Sequence, residues 1–165
     1  MKKTLNIGAG KRTFKNYPTN NYECINVDQR DLENIDVVCD VTKLPFEDEE
    51  FDFIVASDIV EHFPISETQS VLQEWVRVLK KGCVIEFRLP NLHAICKKYF
   101  MEGGDARNIS WLLYGGQDYP GNFHYVGFDK KFFNEECVKV GLSMISYGEE
   151  GNNMIILMRR PGEGE

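Results

Sequence analysis

Short apolar runs alternate along the chain with segments whose apolar residues recur every three to four positions, the pattern of strands interleaved with helices. Strands are expected at Thr4 to Ile7, Tyr22 to Val27, Asp36 to Cys39, Phe51 to Ala56 and Cys83 to Leu89. These runs are rich in Ile, Val and Phe, as strands buried on both faces of a parallel sheet must be. The best-defined helix lies between the fourth and fifth strands. Val71, Leu72, Trp75, Val76 and Leu79 share one face, and Ser66 and Gln69 have the spacing of a capping box. Lys80 and Lys81 fall in the expected last turn, and Gly82 follows as a stop. A second helix is expected from Lys130 to Val140, ended by Gly141. Leu142 to Tyr147 and Met154 to Met158 read as two closing strands. The turn between them, Gly148 to Asn153, is short enough only for antiparallel neighbours.

Two early connections are short for a parallel sheet. Eleven residues, Lys11 to Asn21, follow Gly10, and seven, Gln29 to Ile35, follow Asp28. A parallel crossover with a full helix takes about a dozen or more residues. One face of the sheet is therefore expected to be thinly covered here.

Composition narrows the class. A chain of 165 residues is expected to form one domain, residues 1–160, followed by a disordered tail from Pro161 to Glu165. Its net charge is −7 and no cluster of Lys and Arg is visible, which argues against nucleic acid as a partner. Cys24, Cys39, Cys83, Cys96 and Cys137 are scattered and never form a Cys-x-x-Cys pair. That argues against a disulfide framework and a zinc site, and suits a reducing compartment. The apolar run after Met1-Lys2-Lys3 stops within a few residues, too soon for a signal peptide, and no stretch is long enough to span a membrane. A cytoplasmic protein acting on a small molecule is expected.

The chemistry is concentrated near the start. Leu5-Asn6-Ile7 runs into Gly8-Ala9-Gly10, and the second strand ends in Asp28, twenty residues after Gly8 (from 8 to 28). Glycines let a backbone approach a ligand closely, and a carboxylate at that spacing meets ribose hydroxyls. The dinucleotide fingerprint needs a third glycine where Thr13 stands, and the Walker Gly-Lys-Ser/Thr is absent, so NAD and nucleoside triphosphates lose weight. Gly8 and Gly10 also suit a plain turn after a buried strand.

Taken in order, Leu5 to Gly10, Asn26-Val27-Asp28, Cys39 to Phe46, Phe51 to Phe63 and Arg77 to Gly82 resemble the class I S-adenosylmethionine-dependent methyltransferases. The resemblance implies an α/β, Rossmann-like, seven-stranded, mostly parallel sheet with an antiparallel last strand, in the order 3-2-1-4-5-7-6. It implies S-adenosylmethionine as cofactor. Gly8, Ala9 and Gly10 would lie along its methionine part, Asp28 on the ribose, Gln29 beside the adenine, Asp40 on the adenine amino group, Val41 against the ring, and Ser57 at the methyl end. This chain departs from the family's usual pattern at Asn6, where an acidic residue is common, and at Arg12, where a glycine often stands. With no helices ahead of the first strand, a partner subunit or residues 93–128 are expected to cover the pocket.

Methyl transfer needs a nucleophile placed behind the methyl in a dry site, and a hydroxyl nucleophile gains from a base such as histidine. His124 lies in Gly115 to Tyr125, a stretch that resembles one found over the acceptor site in family members linked to sugar and cell-surface polysaccharide modification. It is the first candidate for base or acceptor ligand, and a loop histidine capping backbone is the alternative. His62, five residues after Ser57, is the second candidate; it also fits the start of a helix. His93 reads as structural. Arg88 and Asn91, ending the fifth strand, are expected to face an acceptor rich in hydroxyls, unless Arg88 is paired with Glu86 or Asp58. Trp111, Tyr114, Tyr119, Phe123, Tyr125 and Phe128 form an aromatic lid or a homodimer interface, and Tyr119 is the lid residue expected on the acceptor. The resulting expectation is methyl transfer to a sugar or nucleotide-sugar hydroxyl. N- or C-methylation of another metabolite, and a catalytically silent cofactor-binding subunit, are the alternatives.

Overall fold

Leu5 and Ile7 are buried, and so are Thr4 and Asn6 between them. A strand covered on both faces belongs at the centre of a sheet, and β1 (Lys2–Ile7) is found there. The computed structural model describes residues 1–164. Its sheet has seven strands in the order β3-β2-β1-β4-β5-β7-β6. The others are β2 (Tyr22–Asp28), β3 (Val37–Val38), β4 (Phe51–Ser57), β5 (Leu79–Pro90), β6 (Ser143–Glu150) and β7 (Asn153–Arg159). The first five pair in parallel, whereas β7 runs antiparallel to both β5 and β6. The strand order and the closing hairpin agree with the expectation from sequence.

Helix α1 (Ile65–Val78) buries Val71, Leu72, Trp75 and Val78. Two details differ from the sequence reading. No capping box forms: the helix starts after Pro64, whose carbonyl accepts from Glu67 N and Thr68 N, and Gln69 instead donates to Glu136 at 3.2 Å. The helix also stops at Val78, so Lys80, Lys81 and Gly82 belong to β5. Leu79 is fully buried and already pairs with Phe51, while Lys80 reaches Asp52 at 2.8 Å. Sheet pairing of Leu79 outweighs one more helical turn.

The segment 93–128 holds two helices that periodicity does not reveal, α2 (Leu92–Glu102) and α3 (Ala106–Tyr114). Helix α4 (Lys130–Lys139) follows, capped by Asp129, which accepts from Phe132 N at 2.7 Å. Of the tail expected to be disordered, residues 161–164 lie beside β5: Gly82 N donates to Pro161 O and Lys81 pairs with Glu163. Glu165 lies outside the described residues. Among the described residues no helix is long and apolar enough to cross a membrane.

No helix fills the two short crossovers; side chains hold them instead. Asn6 donates to Arg12 O at 2.8 Å and to Asn26 Oδ1 at 2.9 Å. Asn26 accepts from Phe14 N and donates to Phe14 O and to Asp36 Oδ2. Phe14 and Tyr17 then stack with centroids 4.6 Å apart, Tyr17 lies 6.0 Å from Phe53, and its hydroxyl donates to Glu86. Two rings cover the sheet face where a helix is missing. Asn6, which departs from the family pattern, is thus the hinge of this buried ladder.

On the opposite face Trp75 is fully buried, near Phe63 and Phe87, and its Nε1–H donates to Val41 O at 2.9 Å. This bond joins α1 to the loop after β3. Trp75→Phe leaves that buried carbonyl unpaired, and the expected loss is about 1–3 kcal/mol, read from urea unfolding midpoints at constant slope. An unchanged midpoint would show that the bond contributes nothing.

Candidate functional site

Because β1, β2 and β4 are parallel, their carboxyl ends open on one edge, where ligands of open α/β sheets bind. Gly8, just past β1, has φ +65°, and a Cβ there would collide with the Ile59 side chain. Gly10 N–H donates to Asp28 Oδ2 at 2.9 Å. A crevice of about 380 Å³ lies here, lined by Gly8, Asp28, Gln29, Asp40 and Val41 on the sheet side, and by Ile59, His62 and Tyr119 opposite. Ala9, Gly10 and Ser57 stand behind that lining: Ala9 is buried, with its N–H on Val27 O, and Ser57 pairs in register with Arg88. Asp40 accepts from Thr42 N and Oγ1, which fixes the turn after β3.

Asp28 is fully engaged. Oδ1 accepts from Arg30 N (2.9 Å) and Nε (3.0 Å), and Oδ2 accepts from Gly10 N and from Arg30 Nη2 (3.2 Å). Burial pushes the carboxyl pKa up, but the Arg30 guanidinium and the two backbone N–H groups outweigh it and hold the pKa below the usual carboxylate value. Arg30 in turn lies over the Tyr119 ring, 4.4 Å from its centroid. A ligand hydroxyl reaches Asp28 only if Arg30 moves aside. Sequence reading did not single out Arg30.

Asp58, His62 and Tyr119 are shared with a second cavity of about 400 Å³, lined also by Glu61, Arg88, Trp111, Asn122 and His124. His62 and His124 meet edge to face, with centroids 4.8 Å apart. Each is oriented by a carbonyl 3.0 Å from Nδ1, Phe123 O for His62 and Leu112 O for His124. A carbonyl only accepts, so each Nδ1 carries a proton, and in the neutral ring Nε2 keeps a lone pair; the Gly121 carbonyl also acts on the His62 ring. Burial lowers both imidazole pKa values, and for His62 the neighbouring His124 lowers it further. His124 Nε2 is 4.0 Å from Glu61 Oε1. Glu61 is 1% exposed, and neither of its oxygens has a hydrogen-bond partner. Burial pushes its carboxyl up to about 8.

The insert is fastened over this site by backbone: Tyr125 N donates to Glu61 O at 2.8 Å and His124 N to Tyr114 O at 3.1 Å. Trp111, Tyr114, Phe123 and Tyr125 remain exposed on it. Phe128 does not belong to the lid, because it is fully buried against Phe132 and Phe133. Arg88 lines the second cavity with Nη1 on Asp58 at 2.9 Å. Asn91 does not face it. Its Oδ1 caps α2 by accepting from His93 N, and its Nδ2 reaches Glu149 at 3.2 Å. Asn91 and His93 line a separate groove beside α4 and β6. Helix capping, which favours Asn at this position, accounts for Asn91 without a ligand. Glu61 also escaped sequence reading as a site residue, although an acidic residue inside the apolar run Ile59 to Phe63 was its signal.

The family described as Methyltransferase domain matches residues 5–87, just over half of the chain. No curated protein matches it in sequence. Among solved structures, a 1,6-didemethyltoxoflavin-N1-methyltransferase from Burkholderia thailandensis, with its substrate and S-adenosylhomocysteine bound, is similar over 97% of this chain and 71% of its own, at 12% identity and TM-score 0.70. A SAM-dependent methyltransferase from Methanosarcina mazei aligns over 98% and 93%, at 16% identity and TM-score 0.67. PH0226 from Pyrococcus horikoshii aligns over 96% and 82%, at 19% identity and TM-score 0.70. At such identities these likenesses concern the fold, and the family match carries the rest: the chain belongs to the methyltransferase-domain family, on the sheet of the S-adenosylmethionine-dependent enzymes.

Proposed function

We propose that this chain transfers a methyl group from S-adenosylmethionine to a hydroxyl of a small acceptor, a sugar or nucleotide-sugar. The observation that carries the reading is the junction of two compartments at His62 and Tyr119, with both His62 and His124 lining the second. The crevice fits the cofactor: Asp28 offers a carboxylate for a ribose diol, Val41 and Ile59 offer apolar faces, and Gly8 leaves the backbone bare. When bound, the cofactor supplies a methyl group on positively charged sulfur. Asp28 orients the ribose once Arg30 is displaced, and Gln29 and Asp40 flank the base. The acceptor cavity combines aromatic faces, Trp111 and Tyr119, with the polar Arg88 and Asn122, a lining that suits a ring bearing hydroxyls. His62 and His124 accept the hydrogen bond of the reacting hydroxyl through Nε2, and the insert keeps water out.

S-Adenosylhomocysteine is expected to raise the melting temperature and NAD is not; a shift with NAD alone would overturn the cofactor assignment. Asp28→Asn should weaken S-adenosylhomocysteine by about tenfold or more, since a charged hydrogen-bond acceptor is lost. Arg30→Ala should tighten it several-fold, because the competitor for Asp28 is removed; weaker binding would show that Arg30 holds the cofactor instead.

Incubating methyl-labelled S-adenosylmethionine with pooled nucleotide-sugars should place the label on sugar oxygen. His124→Ala should slow that transfer about a hundredfold, the usual contribution of a positioned base, with S-adenosylhomocysteine affinity kept. Label on nitrogen or carbon of another metabolite would replace the acceptor class, and no transfer in any pool would point to a cofactor-binding subunit.

A further inference from the structure

One buried acid at this site makes no hydrogen bond to any neighbouring side chain. Glu61 follows Val60 in a short 3-10 turn (Val60–His62), and its carboxyl is buried with neither oxygen hydrogen-bonded to another residue. Taking a carboxylate out of water costs several kcal/mol unless it is paired or coordinates a metal. Every other strongly buried acid has donors: Asp28 has Arg30 and Gly10 N–H, and Glu136 has Lys139 and Gln69. Arg88 acts on Glu61 by charge but makes no hydrogen bond to it; its Nη1 is on Asp58.

The groups beside Glu61 are ligands rather than donors. His62 and His124 have Nδ1 tied to carbonyl oxygens, so in the neutral ring Nε2 keeps a lone pair, and one ligand atom from each of Glu61, His62 and His124 lies within 4.8 Å of the others. Two imidazoles and one carboxyl therefore converge, and a metal ion that displaced the carboxyl proton would meet three electron-pair donors. Backbone carbonyls on the far ring nitrogens are also the outer contacts that orient metal-binding histidines and fix their tautomer.

We propose that Glu61, His62 and His124 bind one divalent transition-metal ion of the zinc class, with an open coordination position toward the acceptor cavity. Two imidazoles and one carboxylate suit such ions, whereas calcium and magnesium demand mostly oxygen. Three protein ligands with one position left for water or substrate is the composition of catalytic rather than structural zinc sites. Ligand separations must shrink, since bonds of about 2.1 Å place neighbouring donors roughly 3.4 Å apart, against 4.0 Å from His124 Nε2 to Glu61 Oε1 and up to 4.8 Å within the trio. Side-chain rotation covers that difference. His62 and Glu61 come from the turn after β4 and His124 from the insert, so the ion also links the two. Its use rests on the methyl-transfer reading: the open position faces the proposed acceptor, whose hydroxyl the ion would polarise in place of the free imidazoles.

The test uses the full chain, stripped with a chelator and dialysed, then titrated with Zn2+ by calorimetry and with Co2+ by visible absorption. One equivalent of Zn2+ should bind, and Co2+ should give the intense bands of a low-symmetry site. Glu61→Gln and His124→Ala should each weaken Zn2+ by about tenfold or more, while His93→Ala, in the separate groove, should not. S-Adenosylhomocysteine binding by the same variants reports whether they fold. If they do not, imidazole NMR of the wild type decides: Zn2+ should move the ring signals of His62 and His124 and leave those of His93. No Zn2+ binding, unchanged affinity in folded variants, or ring signals that stay in place would each overturn the proposal. Zn2+ uptake without methyl transfer to any sugar would leave the metal site standing and remove the acceptor reading; transfer by stripped protein that takes up no Zn2+ would do the reverse.

Discussion

Parallel pairing of β1, β2 and β4 is the constraint on which the site depends. Parallel strands end on the same edge, and the adjacent strands β2, β1 and β4 end at Asp28, Gly8 and the Ser57-Asp58 step. Residues remote in sequence are thereby brought to one crevice without any of them contacting another along the chain. The antiparallel β7 closes the sheet on the other side of β5, and its first residue, Asn153, donates to Asp58.

The cost of that arrangement is electrostatic. Asp28, Asp40, Asp58 and Glu61 crowd one edge, and each but the last is offset locally: Asp28 by Arg30 and Gly10, Asp40 by the Thr42 turn, Asp58 by Arg88 and Asn153. The compensation for Asp28 also occupies it, because Arg30 donates to both of its oxygens and lies over Tyr119. One guanidinium thus bridges the end of β2 and the insert. Glu61 is the exception, and its lack of a donor is what makes the histidine pair beside it chemically distinctive.

The missing early helices show how a small chain maintains a sheet face. Asn6, Asn26 and Asp36 form a buried ladder that pins backbone between the strands, and Phe14 and Tyr17 supply the apolar cover. A fully bonded network of this kind rigidifies a core, whereas a half-bonded one destabilises it. The thin cover was legible from loop length alone. That Asn6 is its hinge was not, because its partners lie on other strands.

Periodicity determined strand existence, the α1 face and the closing hairpin, since these depend on residues two to four positions apart. Motif spacing singled out Gly8, Gly10 and Asp28, with a plain turn as the alternative for the glycines, and Asp40 came only from the family resemblance. Only tertiary structure decided which groups meet. Cysteine spacing spoke against zinc, yet Glu61, His62 and His124 converge from segments more than sixty residues apart, a separation that carries no spacing signal. Asn91, expected on the acceptor, and Phe128, expected in the lid, lie elsewhere for the same reason: capping and core packing depend on neighbours supplied by α2, α4 and β6, which the local sequence does not contain.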